Sequence, residues 1–363
     1  MNLLFLEPFF GGSHRDFAEG LAAHSRHAIH LITLPSRFWK WRMRGAALYF
    51  IQKIPNLQSY DGLITTDLMS LSDFKALAGE RCPPALVYFH ENQLTYPLAP
   101  GDAMDYQFGF TDITTCLAAD RILFNSQTHF DAFFSALPGF LNRMPEYRPH
   151  WVKAEIRSKS AVCYPGCEFP ETGDLDRDSG PGPPLIVWNH RWEFDKNPET
   201  FFHALDQALE KGLEFRLALV GENFQTQPKA FVAAQDRYGE RIVQYGYVKS
   251  RTEYENWLSR GDVIISTATQ ENFGISVVEA VRHGCIPLLP DRLAYPEVLP
   301  QQYHADFLYK DETDLVDKLC RMLAGPTLFG SAVNTLSAHM GRFAWSRRIR
   351  EYDEELDKLA GTR

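Results

Sequence analysis

The chain has 363 residues, too many for one typical domain and suited to about two. Its net charge of −9 excludes a generally basic nucleic-acid coat, though not a local basic face. Hydrophobic residues make up 45%, enough for each half to bury a core, and the six cysteines show neither zinc spacing nor a dense disulfide framework, which points to a reducing compartment. No apolar run is long enough to span a bilayer, and Met1-Asn-Leu-Leu-Phe-Leu6 reads as a first strand, not a signal peptide; a soluble, cytoplasmic protein is expected.

Asn2–Leu6 is expected to be a buried strand, followed by a glycine-containing loop over 8–14 and a helix from Phe17 to His24. Such an opening can bring the backbone at Gly11 and Gly12 near a phosphate or a sugar, or it can be a tight turn. His30–Leu34 is the second strand. Residues 20–60 carry Arg26, Arg37, Lys40, Arg42, Arg44 and Lys53 but no acid. Within them Phe38-Trp-Lys-Trp-Arg-Met-Arg44 interleaves aromatic and cationic side chains. That pattern suits either phosphate neutralisation with base stacking or a helix that buries its Trp and Met side chains. Gly62–Thr66 and Ala85–Phe89 are further strands, and the second runs into His90, at the edge where an open α/β sheet binds ligands. A histidine there can hydrogen-bond a substrate hydroxyl or a departing phosphate. A helix over 111–119 and a strand over 121–124 follow, and Asn125-Ser126 can cap the next helix.

Residues 171–184, rich in Asp, Gly and Pro, read as a linker between a domain over 1–170 and a second over 185–341. The second half restarts the βα alternation with Leu185–Trp188, Phe215–Val220, Ile242–Tyr245 and Asp262–Ser266 as strands. A charged helix over 342–360 ends the sequence. This describes two doubly wound α/β domains facing a cleft. Arg191 and Lys196, on the loop after the first strand of this half, are read as phosphate ligands in preference to ion pairs with Glu193 or Asp195. Gly274 allows close backbone approach, and the helix that begins there offers its N–H groups to an anion. Glu271 and Glu279 suit two sets of hydroxyls, and Glu279 lies among valines, where a carboxylate needs a partner.

Residues 261–287, with Glu271 and Glu279 eight apart, together with Arg191, Lys196 and the Gly11-Gly12 pair, resemble the family 4 glycosyltransferases of GT-B fold. The resemblance implies a retaining transferase that uses a nucleotide-diphosphate sugar as co-substrate and needs neither a metal nor another cofactor. It implies further that Arg191 and Lys196 hold the diphosphate and that Glu279 binds the ribose. Glu271 would bind the donor sugar beside the backbone of Asn272, Phe273 and Gly274, with His90 at the reacting centre and the last helix packed on the first domain. The stretches 7–14, 39–45 and 88–97 resemble, more narrowly, the tRNA-queuosine α-mannosyltransferases. That implies GDP-mannose as donor and tRNA-Asp as acceptor, with Lys40, Arg42, Arg44 and His14 toward the tRNA and no stable membrane insertion. A family 4 enzyme with another donor and a lipid or glycan acceptor, and a sugar-nucleotide-binding module without catalysis, stay open alternatives. On this reading Lys196→Ala is expected to cut turnover heavily with the fold intact.

Overall fold

The computed structural model describes residues 1–98, 101, 103–169, 181–221, 228–325 and 329–361. Most of the expected linker, and the loop at 222–224 expected to frame the donor base, lie outside them. The chain divides into two compact units, Met1–Glu168 with Phe343–Arg363, and Phe169–Arg342.

The first unit begins β1 (Asn2–Phe10), α1 (Gly12–His24), β2 (Ala28–Pro35), α2 (Trp39–Lys53), β3 (Gly62–Thr66) and α3 (Leu71–Ala78). It continues β4 (Ala85–Phe89), α4 (Tyr106–Ala118), β5 (Arg121–Phe124), α5 (Gln127–Leu141), α6 (Val152–Ser158) and β6 (Ser160–Val162). All six strands are parallel, in the order β2-β1-β3-β4-β5-β6. β3 and β4 are buried along their whole length, as strands covered on both faces must be. The period-two alternation of strand side chains sorts them between two cores. Leu4, Leu6, Val87 and Phe89 pack with residues of α2 to α6, whereas Leu3, Phe5, Leu86 and Tyr88 pack with Phe17 and Leu21 of α1.

The second unit runs β7 (Leu185–Trp188), α7 (Pro198–Glu210), β8 (Arg216–Leu219), α8 (Lys229–Tyr238), β9 (Ile242–Tyr245), α9 (Arg251–Arg260), β10 (Val263–Ile265) and α10 (Ile275–Arg282). It ends with β11 (Ile286–Pro290), α11 (Tyr295–Val298), α12 (His304–Phe307), β12 (Leu308–Tyr309), α13 (Glu312–Ala324) and α14 (Gly330–Met340). Its parallel sheet has the order β12-β11-β10-β7-β8-β9. Strand order therefore reverses between β1 and β3 in one sheet and between β7 and β10 in the other. Ligands of open α/β sheets bind at such reversal points, beyond the carboxyl ends of the strands.

The last helix, α15 (Trp345–Ala360), belongs to the first unit and covers the same sheet face as α1. Trp345, Tyr352, Leu356 and Leu359 recur at helical spacing on its buried side. Two glycines make room for the Trp345 indole: a Cβ at Gly20 or Gly166 would lie 2.0 or 2.1 Å from it. The Tyr352 hydroxyl donates to the carbonyls of Cys163 (3.1 Å) and Tyr164 (3.0 Å).

Two elements begin earlier than the sequence suggests. The expected loop over 8–14 is absent, because β1 extends to Phe10 and α1 starts at Gly12. Gly12 takes a left-handed φ of 51°, which turns strand into helix within one residue. α4 starts at Tyr106, where the Asp105 carboxylate caps it by accepting the Gln107 N–H at 3.0 Å.

Candidate active site

In the second unit, the loops after β7 and β10 meet at the reversal point of the sheet. Thr267 and Thr269 staple them together. The Thr267 hydroxyl lies 2.9 Å from the Lys196 carbonyl, and the Thr269 N–H donates to the Asp195 carbonyl at 2.7 Å. This tie places Lys196 against the stretch 270–274. Its ammonium donates to the Gln270 carbonyl at 2.8 Å and lies 3.1 Å from Asp195 and 3.3 Å from Glu271. Burial alone would lower the Lys196 pKa, but the two carboxylates outweigh it and the net shift is upward. Glu271 is the mirror case: burial works to raise its pKa, yet Lys196, His190 and Arg191 bring it below the usual value. The other Glu271 oxygen accepts the Gly274 N–H at 3.1 Å, just ahead of α10. Gly274 has a φ of 94°, open to glycine and strained for any other residue.

Glu279 has the partners its apolar surroundings demand. Arg251 donates to one oxygen at 2.7 Å and the Tyr254 hydroxyl to the other at 2.9 Å. Tyr254 in turn accepts from Asn189 at 2.9 Å, and Asn189 also donates to the Ser276 carbonyl at 2.8 Å. The Ser276 hydroxyl pairs with Nδ1 of His190 at 3.0 Å, and burial holds that imidazole neutral with a pKa lowered to about 4. Asn189, His190, Asp195, Arg251 and Tyr254 are members of this site that the sequence reading did not single out. Arg251 and Tyr254 stand three apart on α9, a spacing that puts them on one face, but nothing local to them points at Glu279.

Two expectations need correction. Arg191 and Lys196 do form the neighbouring ion pairs that were set aside, Arg191 with Glu193 at 3.2 Å and Lys196 with Asp195. A loop that holds two cations beside two acids satisfies them internally. Lys196 is also buried, so alanine there would strip the counter-charge from a buried carboxylate, and a loss of stability is expected beside the loss of turnover. Asn272 and Phe273 lie between Glu271 and Gly274 as expected; the Phe273 side chain is buried, which leaves its backbone as the part to meet a ligand.

In the first unit the reversal point collects Glu7, His14, Asp67 and His90. The Glu7 Oε1 accepts the Phe9 N–H (2.8 Å) and the Thr66 hydroxyl (3.2 Å), and lies 3.3 Å from Nδ1 of His14. His14 stacks on His90 with ring centroids 3.9 Å apart. Burial would lower the His14 pKa, but Glu7, Asp67 and Glu91 raise it overall. Burial lowers that of His90 well below the usual value, with help from His14 and His129. The carboxyl of Asp67, buried, is raised to about 7. The His90 backbone is clamped at both ends: its N–H donates to Asp67 at 2.7 Å, and its carbonyl accepts from Asn125 at 2.9 Å. His129 fixes Asn125 in turn, at 2.7 Å. Asn125 thus positions His90 rather than serving as a cap, and Ser126 is the residue that caps α5.

Donor atoms of Glu7, His14 and His90 lie within 4.8 Å of one another, a set that can be tested against a divalent metal. Two histidines on one tetrahedral ion hold their ring centres about 5 Å apart and diverging. Face-to-face stacking at 3.9 Å does not fit that arrangement. Glu7 beside His14 favours the charged form of that imidazole.

Gly11 and Gly12 form the β1–α1 junction beside this cluster; a Cβ on Gly11 would lie 2.1 Å from the Ser36 hydroxyl. Lys40, Arg42 and Arg44 all lie on α2, but not equally free. Arg42 reaches the Pro35 carbonyl at 3.4 Å, and Arg44 donates to the Thr111 hydroxyl at 3.1 Å. Met43 is buried in the core, as one of the two readings of this stretch expects, while Trp41 is 79% exposed and Phe38 64% exposed, as the other expects. His14 does not join this face, because it is held inside by Glu7 and His90.

Comparison with known proteins agrees with both halves. Residues 2–167 match the family described as tRNA-queuosine alpha-mannosyltransferase N-terminal, and residues 183–325 match glycosyl transferases group 1. The tRNA-queuosine alpha-mannosyltransferase of Drosophila melanogaster is 34% identical over 338 residues, covering 90% of this chain and 88% of that protein. The GDP-mannose:cellobiosyl-diphosphopolyprenol alpha-mannosyltransferase of Xanthomonas oryzae pv. oryzae is 21% identical over 184 residues, covering 50% of this chain and 48% of that one. Among solved structures, sucrose-phosphate synthase from Thermosynechococcus elongatus superposes with a TM-score of 0.77 at 15% identity, with both chains fully covered. The two six-stranded α/β sheets are those of the GT-B fold. Among the described residues no helix is long and apolar enough to cross a membrane. With a glycosyltransferase domain in its second unit and this similarity running through both, the chain belongs to the tRNA-queuosine alpha-mannosyltransferase family.

Proposed function

We propose that the protein transfers mannose from GDP-mannose, with retention of configuration, to queuosine in tRNA-Asp in the cytoplasm. The observation that carries this is the 34% identity to the Drosophila enzyme along 90% of the chain. The donor is read in the second unit. Lys196 and Arg191 take the diphosphate, Glu279 the ribose, and Glu271 the sugar hydroxyls beside the Gly274 backbone. In the reaction the bond from the anomeric carbon to the diphosphate oxygen breaks, and a new bond forms to an acceptor hydroxyl on the same face. The hydroxyl proton leaves with the departing diphosphate. Cationic side chains and the N-terminus of α10 stabilise the charge that grows there, so the step asks for no metal. His90, neutral and rigidly held, supports the reaction as a hydrogen-bonding group for a sugar hydroxyl. The exposed cations and aromatics of α2 meet the phosphates and bases of the tRNA.

The test is incubation of the purified protein with GDP-mannose and queuosine-containing tRNA, followed by mass spectrometry of the nucleosides. A hexosylated queuosine is expected. Unmodified queuosine beside mannose transfer to a polyprenyl acceptor, the class named for the Xanthomonas relative, would replace this reading with a lipid-acceptor one.

A further inference from the structure

We infer that the first unit carries a second RNA-binding element, the segment from Arg143 to Arg157, which stacks unpaired bases on Tyr147 and Trp151. The inference rests on the reading of the protein as a tRNA-modifying enzyme, and extends its footprint beyond α2.

Four observations support it. Tyr147 is 87% exposed and Trp151 63% exposed, two large aromatic side chains four residues apart in sequence. Single exposed apolar residues need no explanation, but two large aromatic rings so exposed in one short cationic stretch do. The stretch 142–159 holds Arg143, Arg148, Lys153, Arg157 and Lys159 against Glu146 and Glu155, so it is cationic inside a chain of net charge −9. Tyr147 has a φ of 50°, left-handed and unfavourable for a bulky residue, and its ring gains little contact with the protein in return.

The fourth observation is placement. α2, α4, α5 and α6 all pack their buried residues into the core on one face of the sheet, so they form one layer. Side-chain contacts run across it from α2 to the new segment. Trp39 meets Phe108 at 5.1 Å, Tyr106 meets Phe140 at 6.1 Å, and the Arg143 guanidinium lies 5.9 Å from the centre of the Tyr106 ring.

The partner's chemistry follows from the side chains. Cations alone would serve a duplex, which shows a protein mainly phosphate and groove shape. Exposed aromatic rings add stacking, which needs bases that are splayed out, as in an RNA loop. A lipid surface would prefer aliphatic anchors beside the basic residues, and the exposed apolar side chains of this segment are aromatic.

The experiment uses the full chain and queuosine-containing tRNA, with affinity measured by fluorescence anisotropy over a salt series. Trp151→Ala and Tyr147→Asn are each expected to weaken tRNA binding roughly five- to a hundred-fold with the salt slope unchanged. The double variant Arg143→Ala/Arg148→Ala is expected to lower the slope of log affinity against log salt by about 1.4 to 1.8. Asparagine tolerates the left-handed backbone, so Tyr147→Asn is expected to melt at or above the wild-type temperature, which separates lost contact from lost fold. In turnover, the aromatic variants raise KM for tRNA and leave KM for GDP-mannose alone. Affinities within twofold of wild type for both aromatic variants would overturn the inference, and if wild type still mannosylates the tRNA, only the inference falls. A wild type that neither binds nor modifies tRNA would overturn both. Wild-type binding to anionic phospholipid vesicles that both aromatic variants lose would overturn it in favour of a membrane.

Discussion

Removing the ammonium of Lys196 asks how much the donor loop depends on one charge. In Lys196→Ala, Asp195, fully buried, loses its counter-ion at 3.1 Å, and Glu271 loses its own at 3.3 Å. Breaking a buried pair by deleting one partner costs about 3–5 kcal/mol. The Glu271 side chain is 19% exposed and can turn partly toward water, so the lower end, about 3 kcal/mol, is expected. For a unit of this size that lowers Tm by roughly 6–12 °C. The pH dependence gives a second handle. In wild type the depressed pKa of Glu271 contributes stability that is present above its unfolded value and lost as pH falls through the folded one. The raised pKa of Lys196 contributes stability that is present below its unfolded value and lost only as pH rises through the folded one. Without the lysine the Glu271 carboxyl loses the charge that lowers its pKa, so the deficit of the variant should shrink as pH falls from 7 toward 4. Thermal and urea unfolding at pH 7 and 4.5 measure this, with Asp195→Asn/Lys196→Met as the neutralised control, expected to be more stable than Lys196→Ala. A Lys196→Ala protein that melts within 2 °C of wild type, with the same gap at both pH values, would refute the reasoning.

Three further outcomes are expected. Glu7→Gln removes what holds the proton on His14; a raised histidine pKa contributes stability present below the unfolded value and lost as pH rises, so urea unfolding should show a deficit of roughly 1–3 kcal/mol at pH 5.5 that narrows at pH 8. Equal deficits at both would count against the assignment. Asp67→Asn keeps an acceptor for the His90 N–H but has no buried charge to form, so it should gain on wild type as pH rises from the unfolded carboxyl value toward about 7. Parallel stability curves from pH 4 to 8 would rule this out. Tyr254→Phe deletes the hydroxyl between Asn189 and Glu279 and should weaken GDP binding severalfold by calorimetry; unchanged affinity would separate this network from the donor site.

Much of the fold is visible in the amino-acid order because parallel strands are buried on both faces. Leu185–Trp188 and Ala85–Phe89 are continuous apolar runs with polar loops behind them, and each loop lands at a ligand-facing strand end. Glu271, Gly274 and Glu279 are likewise legible, since they sit within one strand–loop–helix unit. What escapes is set by pairings distant in sequence. Nothing near His14 announces that Glu7 and His90 will close around it, and nothing near Glu279 announces Arg251, 28 residues away. The ion pairs of Arg191 and Lys196 were legible as alternatives, and whether they form depends on burial, which spacing does not reveal. Tyr147 and Trp151 carry no periodic signal at all; only their exposure marks them.

The seating of Trp345 between Gly20 and Gly166 also bears on how the protein is made. Among the described residues, one face of the first sheet packs against α1 and α15, and α15 is synthesised after the second unit. After residue 168 is joined, the whole second unit must be synthesised before that indole arrives. At ordinary elongation rates of about 5–20 residues per second, this leaves the groove that receives Trp345 and Tyr352 open for roughly ten to thirty seconds. The nascent first unit thus waits with an apolar strip uncovered while its neighbour folds ahead of it. A chain truncated before residue 343 would keep that strip exposed for good, which makes the arrival of α15 the step that commits the first unit.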